Sequence, residues 1–248
     1  MTAAGVIAPD FGVISAIAVC CALGAVLIGS LASWARTYAP DADRPDPKDP
    51  QVRRTRLRRI MARQVATAAF VAAVVALAPG ISAGDVGWQG PSGRSVGLSV
   101  AGTAYILVLA TVGGWRARRA PRPGRRSKAD RFRRPIIAEP GERAFVCGIA
   151  IMVGIAEESL FRGLFVATCV GLLSLSPGAA VIVVAALFGV AHAYQGVRGV
   201  LATALVGALL GTLYLQTHSL LMPVIVHSAL DIVAFVVVPR RPTGHRHA

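Results

Sequence analysis

The stretch GIAEESLFRG, residues 154–163, stands between two apolar runs, residues 144–156 and 163–175. Two carboxylates, Glu157 and Glu158, and the guanidinium of Arg162 therefore fall near the middle of what reads as one membrane helix. Charge at that depth costs at least ~2.5–3.5 kcal/mol per residue on insertion scales. A chain that keeps three such groups there must pair them, or use them.

The rest of the chain supports a membrane reading. It has 248 residues, 54% of them hydrophobic, and a mean hydropathy of +0.61. That is too apolar for an ordinary soluble domain of this size. Several windows approach the ~20 uncharged residues needed to cross a bilayer. The expectation is an all-α polytopic membrane protein, a bundle of about seven transmembrane helices. The spans read as 11–34, 64–81, 96–115, 143–174, 179–194, 198–216 and 219–238. The first has no basic segment before it and is long, so it reads as a retained span and not as a signal peptide.

The net charge of +14 is unevenly placed. Of 26 Lys and Arg residues, nine lie in 36–63 and eleven in 116–143, with Arg240, Arg241 and Arg246 in the tail. These clusters flank apolar segments, which the positive-inside rule explains without nucleic acid. Anionic lipids are the expected partners of such clusters, and nucleic acid is not. The rule puts the N-terminus outside and the C-terminus in the cytoplasm, in the cell membrane. The short, Gly-rich loop 82–95 then faces outward. The segment PDADRPDP, with its prolines, opens a polar loop at 39–63, and QVRRTRLRRIMARQ starts a basic helix that leads into the second span. Three regions follow: 1–138 with three spans and the basic loops, 139–238 as the core that carries chemistry, and 239–248 as a basic tail. Cys20, Cys21, Cys147 and Cys169 all fall in apolar segments with no metal-binding spacing, and read as small hydrophobes. GALLG, residues 207–211, reads as a close-packing pattern.

Six titratable residues remain at membrane depth: Glu157, Glu158, Arg162, His192, His227 and Asp231. Glu158 and Arg162 are four apart on one helix face and can pair. Glu157 is rotated from that face, which leaves a carboxylate for proton chemistry. Phe188 and His192 share a face, as do His227 and Asp231. All can meet in the cytoplasmic half of one cavity. A glutamate beside a histidine can activate water as a general base. A second histidine can stabilise an oxyanion. No serine sits in a nucleophile-elbow setting, so a covalent route is disfavoured. His, Glu and Asp are also zinc ligands, which keeps a metal-dependent variant open, although HExxH is absent.

The motifs EESLFRG, FGVAH and HSALD resemble the three signatures of the CPBP family of intramembrane proteases, also called the CAAX-protease and bacteriocin-processing, or Abi, family. The resemblance covers about residues 139–238. It implies a glutamic intramembrane endopeptidase without a cofactor, acting on a peptide or protein substrate at the membrane. By the resemblance, Glu157 is the general base that works with His192, Glu158 and Arg162 orient it, and His227 with Asp231 stabilises the oxyanion. Where family members carry Asn at the last position, the amide can donate. A carboxylate at Asp231 cannot, and would instead orient His227. Two other classes compete: a non-proteolytic membrane scaffold or immunity protein whose buried charges are structural pairs, and a proton-coupled transporter with Glu157 and His192 as relay.

Overall fold

The computed structural model describes residues 12–38, 49–78, 80–92 and 140–237, with isolated positions at 97, 101, 102, 105 and 112. Among these residues all regular structure is helical. α1 is Val13–Tyr38, α2 Pro50–Leu77, α3 Arg143–Glu158, α4 Val166–Gly171, α5 Pro177–Ala191, α6 Val197–Thr217 and α7 Leu221–Ile232. A π-helical segment, Ser159–Phe165, joins α3 to α4, and another, Val233–Val237, continues α7.

Four rods are long and apolar enough to cross a membrane: Val13–Ala35, Pro50–Leu77, Arg143–Gly171 and Val197–Thr217. Pro177–Ala191 and Leu221–Val236 are shorter apolar helices. These correspond to six of the expected spans. The remaining one, 96–115, lies outside the described residues apart from a few isolated positions, as do the basic stretch 116–138 and the tail 239–248. Along α6, Val197, Leu201, Leu205 and Leu209 are exposed at every fourth position, an apolar face of the kind that suits hydrocarbon. The chain is a membrane protein. The four cysteines are unpaired, with Cys20 and Cys21 exposed on α1 and Cys169 buried.

Local chemistry sets the helix ends. Asp49 caps α2, its carboxylate accepting from the Gln51 backbone N–H at 2.8 Å, and Pro50 takes the first turn, where its missing N–H costs nothing. The basic run and the apolar run therefore form one continuous rod. Ser176 and Pro177 start α5 in the same way. His218 ends α6 with a left-handed φ of 50°, after which the chain reverses into α7.

Glycines decide how closely the rods approach. A Cβ on Gly189 would come within 2.7 Å of the Val200 carbonyl, and one on Gly211 within 2.7 Å of Val181, so α5 and α6 pack backbone to backbone. A Cβ on Gly154 would overlap Ser228 and come within 3.1 Å of the Val224 carbonyl, which seats α3 directly on α7. α2 runs alongside α3 in the same direction. Arg53 pairs with Glu142 at 3.0 Å where α3 begins, and Leu57 packs with Val146 and Ile149 further along.

The 82–95 loop does more than connect spans. Residues 80–92 pack into the bundle, with Val86 fully buried. The Gly87 carbonyl accepts from the Leu220 N–H at 2.8 Å, the Ser92 N–H donates to the Thr217 carbonyl at 3.0 Å, and the Gln89 amide donates to the His218 carbonyl at 2.9 Å. The main core joins α1, α2, this loop and the rods from α3 to α7.

Candidate active site

The site begins at the α3 end that carries EESLFRG. Glu158 is fully buried and Arg162 is 1% exposed. Removing two such ions from water costs several kcal/mol each, so the compensation has to be close. Arg162 Nη1 donates to Glu158 Oε1 at 2.7 Å, its Nη2 donates to the Gly207 carbonyl at 3.1 Å, and its guanidinium carbon lies 4.4 Å from the centre of the Phe188 ring. Gly207 keeps this approach close: a Cβ there would lie 3.3 Å from Arg162 Nη2 and 3.2 Å from Phe188 Cδ1, so both side chains would have to give by a few tenths of an ångström.

Beyond Glu158 the rod widens into the π-helical segment Ser159–Phe165, every residue of which is buried. Hydroxyls flank the widening. Ser159 Oγ donates back to the Ile155 carbonyl at 2.6 Å and Thr168 Oγ1 to the Leu164 carbonyl at 2.7 Å, a bonding pattern that bends helices. Gly163 lets the Val86 carbonyl come close from the loop side: a Cβ there would lie 2.9 Å from it.

Glu158 has a second partner. Its Oε1 lies 2.6 Å from His227 Nδ1, and a carboxylate accepts, so Nδ1 carries the proton and the ring is held edge-on. Asp231 Oδ2 is 3.9 Å from His227 Nε2, an ion-pair distance and too long for a hydrogen bond. The orienting bond to His227 thus comes from Glu158, across the α3–α7 contact that Gly154 permits.

His192 closes α5. Its Nδ1 lies 2.8 Å from the Phe188 carbonyl. A carbonyl can only accept, so Nδ1 bears hydrogen and Nε2 is left as the free lone pair of the neutral ring. The Phe188 side chain serves both histidines: its ring centre is 4.7 Å from that of His192 and 5.9 Å from that of His227. Four-residue spacing therefore has two uses here, a carbonyl that selects the tautomer and a ring that floors the site.

Glu157 sits between the two imidazoles. Its Oε2 is 3.9 Å from His192 Nε2 and 4.0 Å from His227 Nε2, and makes no hydrogen bond among the described residues. Its Oε1 accepts from Gln64 Nε2 on α2 at 3.1 Å. All six residues singled out from the sequence thus lie in one cluster: Glu157, Glu158 and Arg162 from one rod, His192 from α5, His227 and Asp231 from α7. Gln64 and Gly207 are additional. Gln64 carried a readable signal, since it falls seven residues after Leu57 and seven before Val71 on a buried stripe that is otherwise apolar. Gly207 carried only its small size. No three His, Cys, Asp or Glu side chains among the described residues are grouped as a metal centre requires.

Residues 140–233 match the family model described as type II CAAX prenyl endopeptidase Rce1-like. That segment is similar to the Rce1-like branch of the CAAX proteases. The match takes in all six clustered residues and stops short of α1 and α2. The Rce1-like family implies intramembrane endopeptidase activity. Neither a curated protein nor a solved structure matches the chain.

Proposed function

We propose that this protein is an integral-membrane endopeptidase that hydrolyses peptide bonds with a water activated by Glu157 and His192. The observation that carries this reading is the position of Glu157 Oε2, 3.9 Å from the lone-pair nitrogen of His192. Two acceptors at that separation cannot bond to each other. One water donating a hydrogen to each can bridge them, and its oxygen then points lone pair first at a substrate carbonyl. On attack, the water oxygen bonds to the carbonyl carbon and its proton passes to Glu157. Collapse of the tetrahedral species breaks the C–N bond, and the same proton goes to the leaving amine.

The oxyanion needs a donor. His227 held through Nδ1 by Glu158 can donate from Nε2 in its imidazolium form, with Asp231 as a neighbouring charge. Arg162 balances Glu158 and keeps that carboxylate fixed. The substrate is a peptide or protein reaching the site from the cytoplasmic side of the cell membrane, with the N-terminus of the protease outside and its C-terminus inside. The basic clusters support that orientation. An open groove of about 620 Å³, lined by Asp49 and Gln51 at one end and by Arg56, Arg59 and Arg63 along its length, sets three guanidiniums against one carboxylate and suits anionic lipid head groups at the same face.

Direct water attack leaves no acyl-enzyme. Peptide cleavage in the presence of hydroxylamine should give only free carboxylate ends. Hydroxamate products would mean a covalent intermediate and would sink this mechanism.

A further inference from the structure

We propose that Gln64 on α2 is a positioning residue for Glu157, so that the reactive geometry is completed by a helix outside the matched segment. This rests on the endopeptidase reading above. α2 buries Leu57, Gln64, Val71 and Val74 on one side. Three of these are aliphatic and pack in the core; the fourth is a primary amide, 3% exposed. A buried amide without a partner costs about 1–3 kcal/mol. Gln64 avoids that cost through one bond, Nε2 to Glu157 Oε1 at 3.1 Å. The nitrogen must face the carboxylate, because the amide oxygen can only accept.

The consequence is an assignment of the two carboxylate oxygens. The terminal torsion of a glutamate is broad and on its own does not select a rotation. With Oε1 tied to Gln64, Oε2 is the oxygen turned to the histidines, 3.9 Å from His192 Nε2 and 4.0 Å from His227 Nε2. α2 is itself held in register on α3 by the Arg53–Glu142 pair at 3.0 Å. Gln64 lies on the far side of Glu157 from those histidines in bonding terms, so it acts through the base and does not touch the reacting atoms. Misorienting a base slows the chemical step while leaving ground-state binding alone.

The test is a kinetic split on the full-length protein in detergent, using a peptide cleaved by wild type. Gln64→Met keeps length and volume and removes the donor. The expected result is a melting temperature equal to wild type, KM unchanged, and kcat lower by about tenfold, or ~1.4 kcal/mol in the barrier. Wild-type kcat in Gln64→Met, or a loss confined to KM or to melting, overturns the proposal. If Gln64→Met does not fold, Gln64→Glu keeps the shape and exchanges the donor for an acceptor; kcat equal to wild type there overturns it equally, and a fall in kcat at constant KM supports it. Glu157→Gln run alongside separates the two levels. Full turnover in Glu157→Gln removes the endopeptidase mechanism itself, whereas a dead Glu157→Gln beside a fully active Gln64→Met removes only the role given to Gln64.

Discussion

Replacing Arg162 with Met tests whether the buried charges are held as the geometry implies. The side chain keeps an apolar stem that ends about where Nε stood, and loses the guanidinium. Three contacts disappear: the 2.7 Å ion pair with Glu158, the 3.1 Å bond to the Gly207 carbonyl, and the stacking at 4.4 Å on Phe188. Glu158 is left fully buried with only His227 as partner. Breaking one side of a buried pair costs roughly 3–5 kcal/mol. Side-chain hydrogen bonds in bilayers measure lower than in water-soluble cores, because the unfolded chain also finds partners in the membrane, so ~3 kcal/mol is the working value. Against a typical total of about 5–15 kcal/mol this is a large loss. Unfolding by SDS in mixed micelles, followed by tryptophan fluorescence, measures it. The double variant Glu158→Gln with Arg162→Met removes both charges and should regain about 1–2 kcal/mol relative to the sum of the singles, since coupled sites are not additive. Arg162→Met within ~0.5 kcal/mol of wild type, or strict additivity of the two changes, would refute the argument.

His192→Ala should lower kcat by about 10²–10⁴-fold with an unchanged melting temperature; a loss of only a few-fold would remove His192 from the base. Gly154→Val should separate α3 from α7 and cost about 1–3 kcal/mol, with activity lost in parallel; an unaltered melting curve would contradict the close approach. Gly207→Ala pushes on Arg162 and Phe188 at 3.3 and 3.2 Å and should destabilise by ~1 kcal/mol, read in the same SDS titration. Arg56, Arg59 and Arg63 changed to Gln should weaken retention of anionic lipid in native mass spectrometry by ~1 kcal/mol per residue removed; equal retention would free that groove from lipid binding.

The helical class and the six-residue cluster were readable because both rest on local periodicity. Glu158 and Arg162 meet because four residues return to the same face, and Phe188 and His192 for the same reason. Local spacing could not identify the partner of His227. It offered Asp231, four residues away, whereas the bond comes from Glu158, 69 residues away, through an approach that only the absence of a side chain at Gly154 allows. The same limit hid the use of Gly207, whose carbonyl matters and whose identity reads merely as small. Gln64 was available as a polar break in a seven-residue stripe, but it sits at the end of an arginine-rich run that draws the eye to charge. The π-helical segment after Glu158 left no compositional mark beyond two hydroxyls. The loop 82–95 read only as short, Gly-rich and outward-facing, yet in its described part Gly87, Gln89 and Ser92 hydrogen-bond to the α6–α7 turn.

The central claim is that Glu157 activates water for peptide-bond hydrolysis, and one comparison tests it most directly. Wild type and Glu157→Gln, purified in detergent and shown to have equal monodispersity and melting, are each given a peptide library with mass-spectrometric readout, with and without a chelator. The account predicts cleavage by wild type at defined bonds, the same with chelator present, and none by Glu157→Gln. Cleavage by Glu157→Gln at the wild-type rate, or cleavage abolished by chelator, would contradict it.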